Sequence, residues 1–203
     1  MFNIRVAGRT LCGVAVAIAL EAADGARSFE TTNGTVKFVA TTNLGAIRIH
    51  GQSSALTGHV NAVSSGDQIA VEGLEARLDP KSLSTGMSLR DQHMRAKIFA
   101  VGEALPELKF TAAKIQCPTP EAAKESGCQV QGSFTMRGVS KPFAILLRVR
   151  QSGQGVYKVS GEGNLKLTAF GVEPPCQLGV CVTDEVQLKL EFQARELKQV
   201  SQK

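Results

Sequence analysis

Long stretches of this chain alternate apolar and polar residues with a period of two. The alternation is clearest in Lys141–Arg150, Val156–Phe170 and Asp184–Arg195. Because successive side chains of a β-strand point to opposite faces of its sheet, this pattern predicts strands with one buried and one solvated face. An amphipathic helix would instead place apolar residues three and four positions apart. The chain is therefore predicted to be mainly β.

Turn signals divide the chain into about eight strands that follow one another in antiparallel order. The alternation changes phase at Gly73, which predicts a β-bulge, and Val139-Ser140 is predicted to be a hairpin turn. A meander of this length favours a closed barrel, because closure removes exposed strand edges. The predicted segments are Thr35–Thr41, Ala46–Gly51, Leu56–Val63, Gln68–Asp79, Glu107–Ile115, Cys128–Gly138, Lys141–Arg150, Val156–Phe170 and Asp184–Arg195.

The parity of the last four strands assigns one face to apolar side chains, and Leu146 is the main apolar residue on the other face. An eight-stranded barrel either fills its interior with such side chains or encloses one elongated apolar ligand. Parity alone leaves both alternatives open. If there is a cavity, its predicted wall consists of Phe134, Met136, Phe143, Ile145, Leu147, Tyr157, Val159, Leu165, Leu167, Leu188, Leu190 and Phe192.

One charged segment, "LSTGMSLRDQHMRAKIF", interrupts the strands, and Met87–Phe99 within it is predicted to be a helix. Ser84 and Thr85 are candidates to cap its beginning. Asp91 and Arg95 have the spacing of an ion pair on one helix face. An apolar stripe of Met87, Met94 and Ile98 predicts that the helix covers a flank or mouth of the barrel. The predicted helical flap therefore consists of Met87, Asp91, Met94, Arg95 and Ile98.

The beginning of the chain has the pattern of a secretory signal peptide. Arg5 and Arg9 precede the apolar run Leu11–Leu20, which is too short to cross a bilayer, and small residues follow it. The prediction is a signal peptide over residues 1–25 and one domain over residues 26–203, with a periplasmic or secreted location. A buried N-terminal strand or helix is the alternative.

Four cysteines follow the predicted signal peptide: Cys117, Cys128, Cys176 and Cys181. An even number in an exported chain indicates two disulfides, for which three pairings are possible. Pairing between neighbours, Cys117 with Cys128 and Cys176 with Cys181, is the simplest. A zinc site is the alternative, but the spacings differ from the usual Cys-x2-Cys of zinc knuckles.

Neither charge nor motifs indicate nucleic-acid binding or catalysis. The formal net charge is +5, but the basic residues are dispersed along the solvated faces of strands instead of forming one stripe. His50, His59 and His93 are the only histidines, and none lies in a recognised metal or catalytic motif. We therefore predict no catalytic residue, no metal site and no nucleic-acid partner.

Several motifs between Ser84 and Arg195 occur together in a recognisable order: "STGMSLRDQHMRAKIF", "PELKF", "GSFTMRGVSKPF", "LKLTAFGV" and "DEVQLKLEFQAR". In this order they resemble the YceI-like family of exported lipid- or polyisoprenoid-binding proteins. The resemblance implies a lipocalin-like antiparallel eight-stranded barrel, with a short helix covering it, that encloses an isoprenoid chain or, in some members, a quinone tail. The cysteine loop "VEPPCQLGVC" departs from the family pattern.

The predicted function is therefore that of an exported soluble carrier for an isoprenoid or other long-chain lipid, with the tail of a quinone as one candidate. Such a carrier makes transient contact with a membrane and needs no cofactor beyond the bound lipid or quinone. Two alternatives remain: a packed barrel with a role in stress protection or protein interaction, and a metal-assisted enzyme on the same barrel. The cavity volume tests the first alternative. Convergence of the histidines with a carboxylate tests the second.

Overall fold

The computed structural model of the protein describes residues 25–65, 67–120 and 124–197, so residues 1–24 of the predicted signal peptide lie outside it. Ten strands account for most of this part. They are β1 (Ala26–Thr42), β2 (Arg48–Ser65), β3 (Gln68–Leu78), β4 (Leu108–Ala112), β5 (Ile115–Pro118), β6 (Ser126–Met136), β7 (Val139–Gly153), β8 (Val156–Lys166), β9 (Cys176–Gln177) and β10 (Val180–Glu196).

Helix α1 (Ser88–Met94) continues directly into a π-helical segment, Arg95–Phe99. Two 3-10 turns, Pro80–Ser82 and Thr168–Phe170, lie before the helix and after β8. Among the residues described, no helix is both long enough and apolar enough to span a membrane.

Eight of the strands close into a barrel. Neighbours pair in the order β1-β2-β3-β4-β6-β7-β8-β10, and β10 pairs back with β1. Every pairing is antiparallel, with Phe38 opposite Leu188 at the closure. β5 extends the pairing of β3, and β9 forms a small hairpin with the beginning of β10. The predicted eight-stranded antiparallel barrel is therefore confirmed.

The strand boundaries differ from the prediction in several regions. β1 begins at Ala26, well before the predicted Thr35. β2 is continuous where the sequence suggested two segments, and the Ser53 hydroxyl within it is buried and shares a 2.7 Å hydrogen bond with that of Ser82. The predicted strand Glu107–Ile115 is divided into β4 and β5, because Lys114 has a left-handed backbone with φ +56°.

Two local features depend on the backbone of single residues. The hairpin between β6 and β7 turns at Arg137 and Gly138, with φ of +56° and +74°, and not at Val139-Ser140 as predicted. Two consecutive positive φ values are typical of the tight turns that match strand twist. The bulge predicted at Gly73 is confirmed, since Gly73 pairs with Asn61 and Val71 with Ala62, which leaves Glu72 as the extra residue.

The barrel interior contains two apolar clusters at different heights. One cluster, which we call the closed end, consists of the buried residues Cys128, Val130, Ile145, Leu147 and Val159. The other lies toward the loops that follow β1, β3 and β8, and contains Leu56, Leu83, Phe99, Met136, Leu165, Phe170 and Val172 among its buried members. We call this second region the open end. Both termini of the described chain lie on the opposite side, since Phe29 pairs with Glu196.

Both disulfides join neighbouring cysteines. Cys117 is bonded to Cys128, which fastens β5 to β6 beside the closed end. Cys176 is bonded to Cys181 across the β9–β10 hairpin at the open end. The pairing is the one that the sequence favoured, and it leaves these cysteines out of any zinc site.

Candidate ligand-binding site

A cavity of about 890 Å³ occupies the barrel at its open end. The volume lies in the range of protein sites that enclose small molecules, about 300–1,000 Å³. Aliphatic and aromatic side chains from all eight barrel strands form most of its wall. They are Val36, Phe38, Ala40, Ile49, Leu56, Ala76, Leu78, Leu108, Phe110, Phe134, Met136, Phe143, Ile145, Leu165, Val186, Leu188 and Leu190, together with Leu167 just after β8.

Phenylalanine rings form the floor of the cavity. The Phe143 ring lies 6.0 Å from that of Phe110 and 5.6 Å from that of Phe134, measured between ring centroids. Phe143 also packs against both apolar clusters, so it separates the cavity from the closed end. Gly163 makes room for it, because a Cβ at that position would lie 2.7 Å from the Phe143 ring.

Eight of the predicted wall residues line this cavity: Phe134, Met136, Phe143, Ile145, Leu165, Leu167, Leu188 and Leu190. Their contact with a ligand remains a prediction. Each lies on the inward face that strand parity assigned to it. Strand parity therefore predicts the correct side of the sheet for these side chains.

The other four predicted wall residues lie outside the cavity, so the prediction that they form its wall is wrong. Leu147 and Val159 are buried in the closed end, and Phe192 packs against the same cluster. The Tyr157 ring packs edge-on against the Phe29 ring near the termini, with 5.5 Å between the ring centroids. Parity gives the face of a strand but not the height of a residue along the barrel, and these side chains lie too far from the open end. Val159 and Phe192 instead border a second, more polar hollow of about 640 Å³.

The predicted wall omits the residues that β1, β2, β3 and β4 provide. Val36, Phe38 and Ala40 alternate in the predicted strand Thr35–Thr41, so the same parity argument would have found them. The mouth also contains Pro175 and Leu178 from the cysteine loop. No sequence signal places that loop beside the cavity.

The helical segment lies beside the mouth of the cavity. Met94 and Ile98 are half-buried against the open-end cluster and line the cavity, as predicted. Met87 also lines the cavity but is mostly exposed, because it precedes the first helical residue, Ser88. Phe99 is buried and anchors the end of the segment. The helix therefore presents its apolar stripe to the cavity.

A network centred on Asp91 fixes the beginning of the helix. The carboxylate is only 5 % exposed and accepts hydrogen bonds from the Ser84 hydroxyl (2.7 Å), the Thr85 backbone N–H (2.7 Å) and the Thr85 hydroxyl. Arg90 Nε donates to the Thr85 hydroxyl oxygen at 2.8 Å. Ser84 and Thr85 therefore do not cap the helix as predicted, since the N-cap position is Met87 and has no side-chain hydrogen bond.

Arg95 fastens the helix to the loop before it. Its Nη2 donates to the carbonyl oxygens of Lys81 (3.1 Å) and Leu83 (3.2 Å), while its buried Nε has no hydrogen-bond partner in the described structure. The predicted i,i+4 pairing with Asp91 is limited to an electrostatic effect: the charge of Arg95 helps to lower the pKa of Asp91, but no hydrogen bond joins the two side chains in the described structure. Because the loop folds back onto the helix, both side chains form hydrogen bonds with the loop backbone, as predicted.

Two carboxyl groups near the open end have lowered pKa values. Burial acts to raise the pKa of Asp91, but hydrogen bonds from Thr85 and Ser84, with the positive charge of Arg95, outweigh it and lower the pKa below its ordinary value. The pKa of Asp184 is lowered first by the backbone N–H of Thr168, and burial opposes this shift only in part. Both ionised carboxylates therefore stabilise the folded state.

These shifts predict that the protein loses stability in acid. A pKa below its unfolded value gives stabilisation that is complete above the unfolded pKa of about 3.9 and disappears as the pH falls through the folded pKa. The urea midpoint should therefore fall between about pH 6 and about pH 3. Asp91→Asn should be less stable at the higher pH and show a smaller fall. An equal fall in both proteins would contradict a contribution from Asp91.

The three histidines do not converge on a site. His50 and His59 are exposed on β2, and His59 Nε2 lies 3.0 Å from Asn61 Oδ1. His93 lies on α1 beside the mouth of the cavity. In the described ranges, no group of three or more His, Cys, Asp or Glu side chains could hold a metal ion.

Comparison with known protein sequences identifies similar chains. A UPF0312 protein of Pseudomonas savastanoi pv. phaseolicola is 29% identical over 107 residues, which cover 50% of this chain and 53% of the relative. A UPF0312 protein of Yersinia pestis is 26% identical over 134 residues, covering 64% of this chain and 65% of the relative. The chain thus spans about half the length of the first curated relatives it matches.

Solved structures share the fold at low sequence identity. Burkholderia cenocepacia BcnA has a TM-score of 0.62 and 19% identity, with 79% of this chain and 95% of BcnA covered. A polyisoprenoid-binding domain from Saccharophagus degradans, implicated in plant cell wall breakdown, has a TM-score of 0.63 and 14% identity, with 84% and 98% covered. The family model of the YceI-like domain matches residues 28–194. The chain therefore belongs to the family of YceI-like domains.

Proposed function

We propose that this protein is an exported carrier that encloses an isoprenoid or other long-chain lipid in its barrel. The observation behind the proposal is the apolar cavity of about 890 Å³ beneath the helix. A barrel that served only as a packed scaffold would fill this volume with side chains, because protein interiors are normally close-packed. The cavity volume therefore favours a carrier over the packed alternative.

The chemistry of the wall fits a long hydrocarbon chain. Each methylene group that leaves water for an apolar environment contributes about 0.8 kcal/mol. The wall offers aliphatic side chains and a floor of phenylalanine rings, with the polar and charged groups near the mouth. A polyprenol or the prenyl tail of a quinone would place its chain inside and its polar end at the opening. The solved relative from Saccharophagus degradans is described as a polyisoprenoid-binding domain.

The arrangement of polar groups favours binding over catalysis. A general base must lie within hydrogen-bond reach of the proton that it removes from the substrate. His93, the histidine at the cavity, is not joined there by His50 or His59, which are exposed on β2. Asp91 is already engaged by Ser84 and Thr85. A metal-assisted reaction would require a different constellation.

Export is supported by the two disulfides, which persist in oxidising compartments. It also agrees with the signal peptide predicted over residues 1–25. Alkylation of the denatured, non-reduced protein should leave Cys117, Cys128, Cys176 and Cys181 unlabelled. Labelling of all four would contradict a periplasmic or secreted location.

The proposal is tested by extracting the purified protein with organic solvent and identifying its lipids by mass spectrometry. We expect an isoprenoid or another long-chain lipid in near-stoichiometric amount. Ala76→Phe should deplete the lipid because Ala76 lines the cavity. The matched variant Ala144→Phe should retain it, because Ala144 is exposed on β7. A wild-type protein that neither contains nor takes up polyprenol would overturn the proposal, as would equal lipid content in both variants.

A further inference from the structure

Exposed apolar side chains surround the mouth of the cavity. Leu178 is 98% exposed, Leu89 60%, Leu44 57% and Met87 56%. They belong to three segments of the open end: the β9–β10 hairpin, the beginning of α1 and the turn between β1 and β2. Leu178, Leu89 and Met87 also line the cavity itself. We call these four residues the apolar rim.

The rim is held in place by covalent and hydrogen bonds. The Cys176–Cys181 disulfide closes the hairpin that presents Leu178 at its turn. Asn43, which precedes Leu44, donates through Nδ2 to the carbonyl oxygen of Gly179 at 3.1 Å. Its Oδ1 accepts the Cys181 backbone N–H at 3.0 Å. Hydrogen bonds therefore join the hairpin to the β1–β2 turn, and each of these segments carries an exposed leucine, Leu178 and Leu44.

The helical segment brings basic side chains to the cavity lining beside the rim. The carboxylates of Asp91 and Asp184 at this end accept hydrogen bonds from neighbouring residues. Arg90, His93 and Lys97 lie on the helical segment next to the rim. A surface that combines exposed leucines with Lys and Arg matches the interface of a bilayer that contains anionic phospholipid. Basic residues near such a surface are attracted to its anionic headgroups.

We propose that the apolar rim docks this protein onto the surface of a lipid bilayer that contains anionic phospholipid. The inference rests on the proposed function and deepens it, because docking brings the cavity mouth against the hydrocarbon from which a lipid would enter. An isoprenoid chain would then move into the barrel without crossing water. The described termini lie at the end of the barrel opposite the rim.

Vesicle flotation with the full protein tests the proposal. Wild type should float with vesicles of phosphatidylcholine and phosphatidylglycerol, and less with phosphatidylcholine alone. Leu178→Asp should weaken flotation at least about tenfold, because burying one leucine is worth about 1.5–3 kcal/mol. The matched variant Leu146→Asp should float like wild type, since Leu146 is 43% exposed on the outer face of β7. Leu178 is too exposed for its replacement to disturb folding.

Lys97→Gln should weaken flotation only with the anionic vesicles, and the exposed Lys158→Gln on β8 should have no such effect. The docking proposal would be overturned if wild type did not float, or if it floated equally with both vesicle types. Equal losses in Leu178→Asp and Leu146→Asp would overturn it too.

The amount of lipid extracted from Leu178→Asp distinguishes the docking proposal from the carrier proposal. If that variant retains its lipid but no longer floats, both proposals stand. If wild type floats but neither contains nor takes up polyprenol, the carrier function fails and docking stands.

Discussion

Replacing Phe143 with aspartate should abolish lipid retention or unfold the barrel. The ring forms the cavity floor between Phe110 and Phe134, and it packs against both apolar clusters. An unpaired carboxylate at this position costs several kcal/mol, because the groups packed around it are aromatic rings. The measurements are the lipid extracted per protein and the midpoint of urea unfolding.

Two companion variants make this prediction specific. Phe143→Leu keeps the floor apolar, so it should remain folded and retain lipid. The second variant is Arg148→Asp. Arg148 lies on the outer face of β7, where its Nη1 is 3.8 Å from Glu162 Oε1. Because exposed ion pairs contribute about 0–1 kcal/mol, this variant should be nearly as stable as wild type. Equal damage from Phe143→Asp and Arg148→Asp would refute the role of Phe143 as a buried floor.

The second large effect is expected from Asp91→Ala. Its removal leaves the hydroxyl groups of Ser84 and Thr85 and one backbone N–H without their acceptor in a nearly buried site. A buried polar group without a partner costs about 1–3 kcal/mol, so we expect a total loss of about 2–4 kcal/mol of unfolding free energy. The beginning of the helix should detach, and a fluorescent polyprenyl analogue should dissociate faster.

Gln92→Ala is the matched control, because Gln92 is exposed on the same helix. This change should alter stability by no more than about 0.5 kcal/mol and leave the dissociation rate unchanged. If the analogue leaves both variants at the wild-type rate, the helix covers the cavity mouth without controlling release.

The barrel was predictable because the face of a strand is a local property. Phe143 and Leu165 alternate with polar neighbours, and their inward orientation follows from that period alone. Leu147 and Val159 have the same parity, yet they lie in the closed end. Their height depends on the stagger between strands that pair across long sequence distances, which no local pattern contains.

The candidate site was predictable only in part. The apolar stripe of Met94 and Ile98 follows from helical spacing, and the structure places both residues at the cavity. Helical spacing predicts the electrostatic effect of Arg95 on Asp91, but the hydrogen bonds from Ser84 and Thr85 depend on how the preceding loop folds back. Neighbour pairing of Cys176 and Cys181 was foreseeable, but the hydrogen bonds of Asn43 that join their hairpin to the β1–β2 turn link residues far apart in sequence.

The closed end leaves an elongated guest one route in the described part of the barrel. Side chains such as Val130 and Leu147 fill the space below Phe143, and the Cys117–Cys128 disulfide fastens the strands around it. An incoming molecule therefore cannot displace a resident from behind. The bound lipid must leave before another can enter. The exchange rate of a lipid held as proposed would therefore be limited by its own dissociation, whatever the concentration of free lipid. The hydrocarbon end would always be first to enter and last to leave.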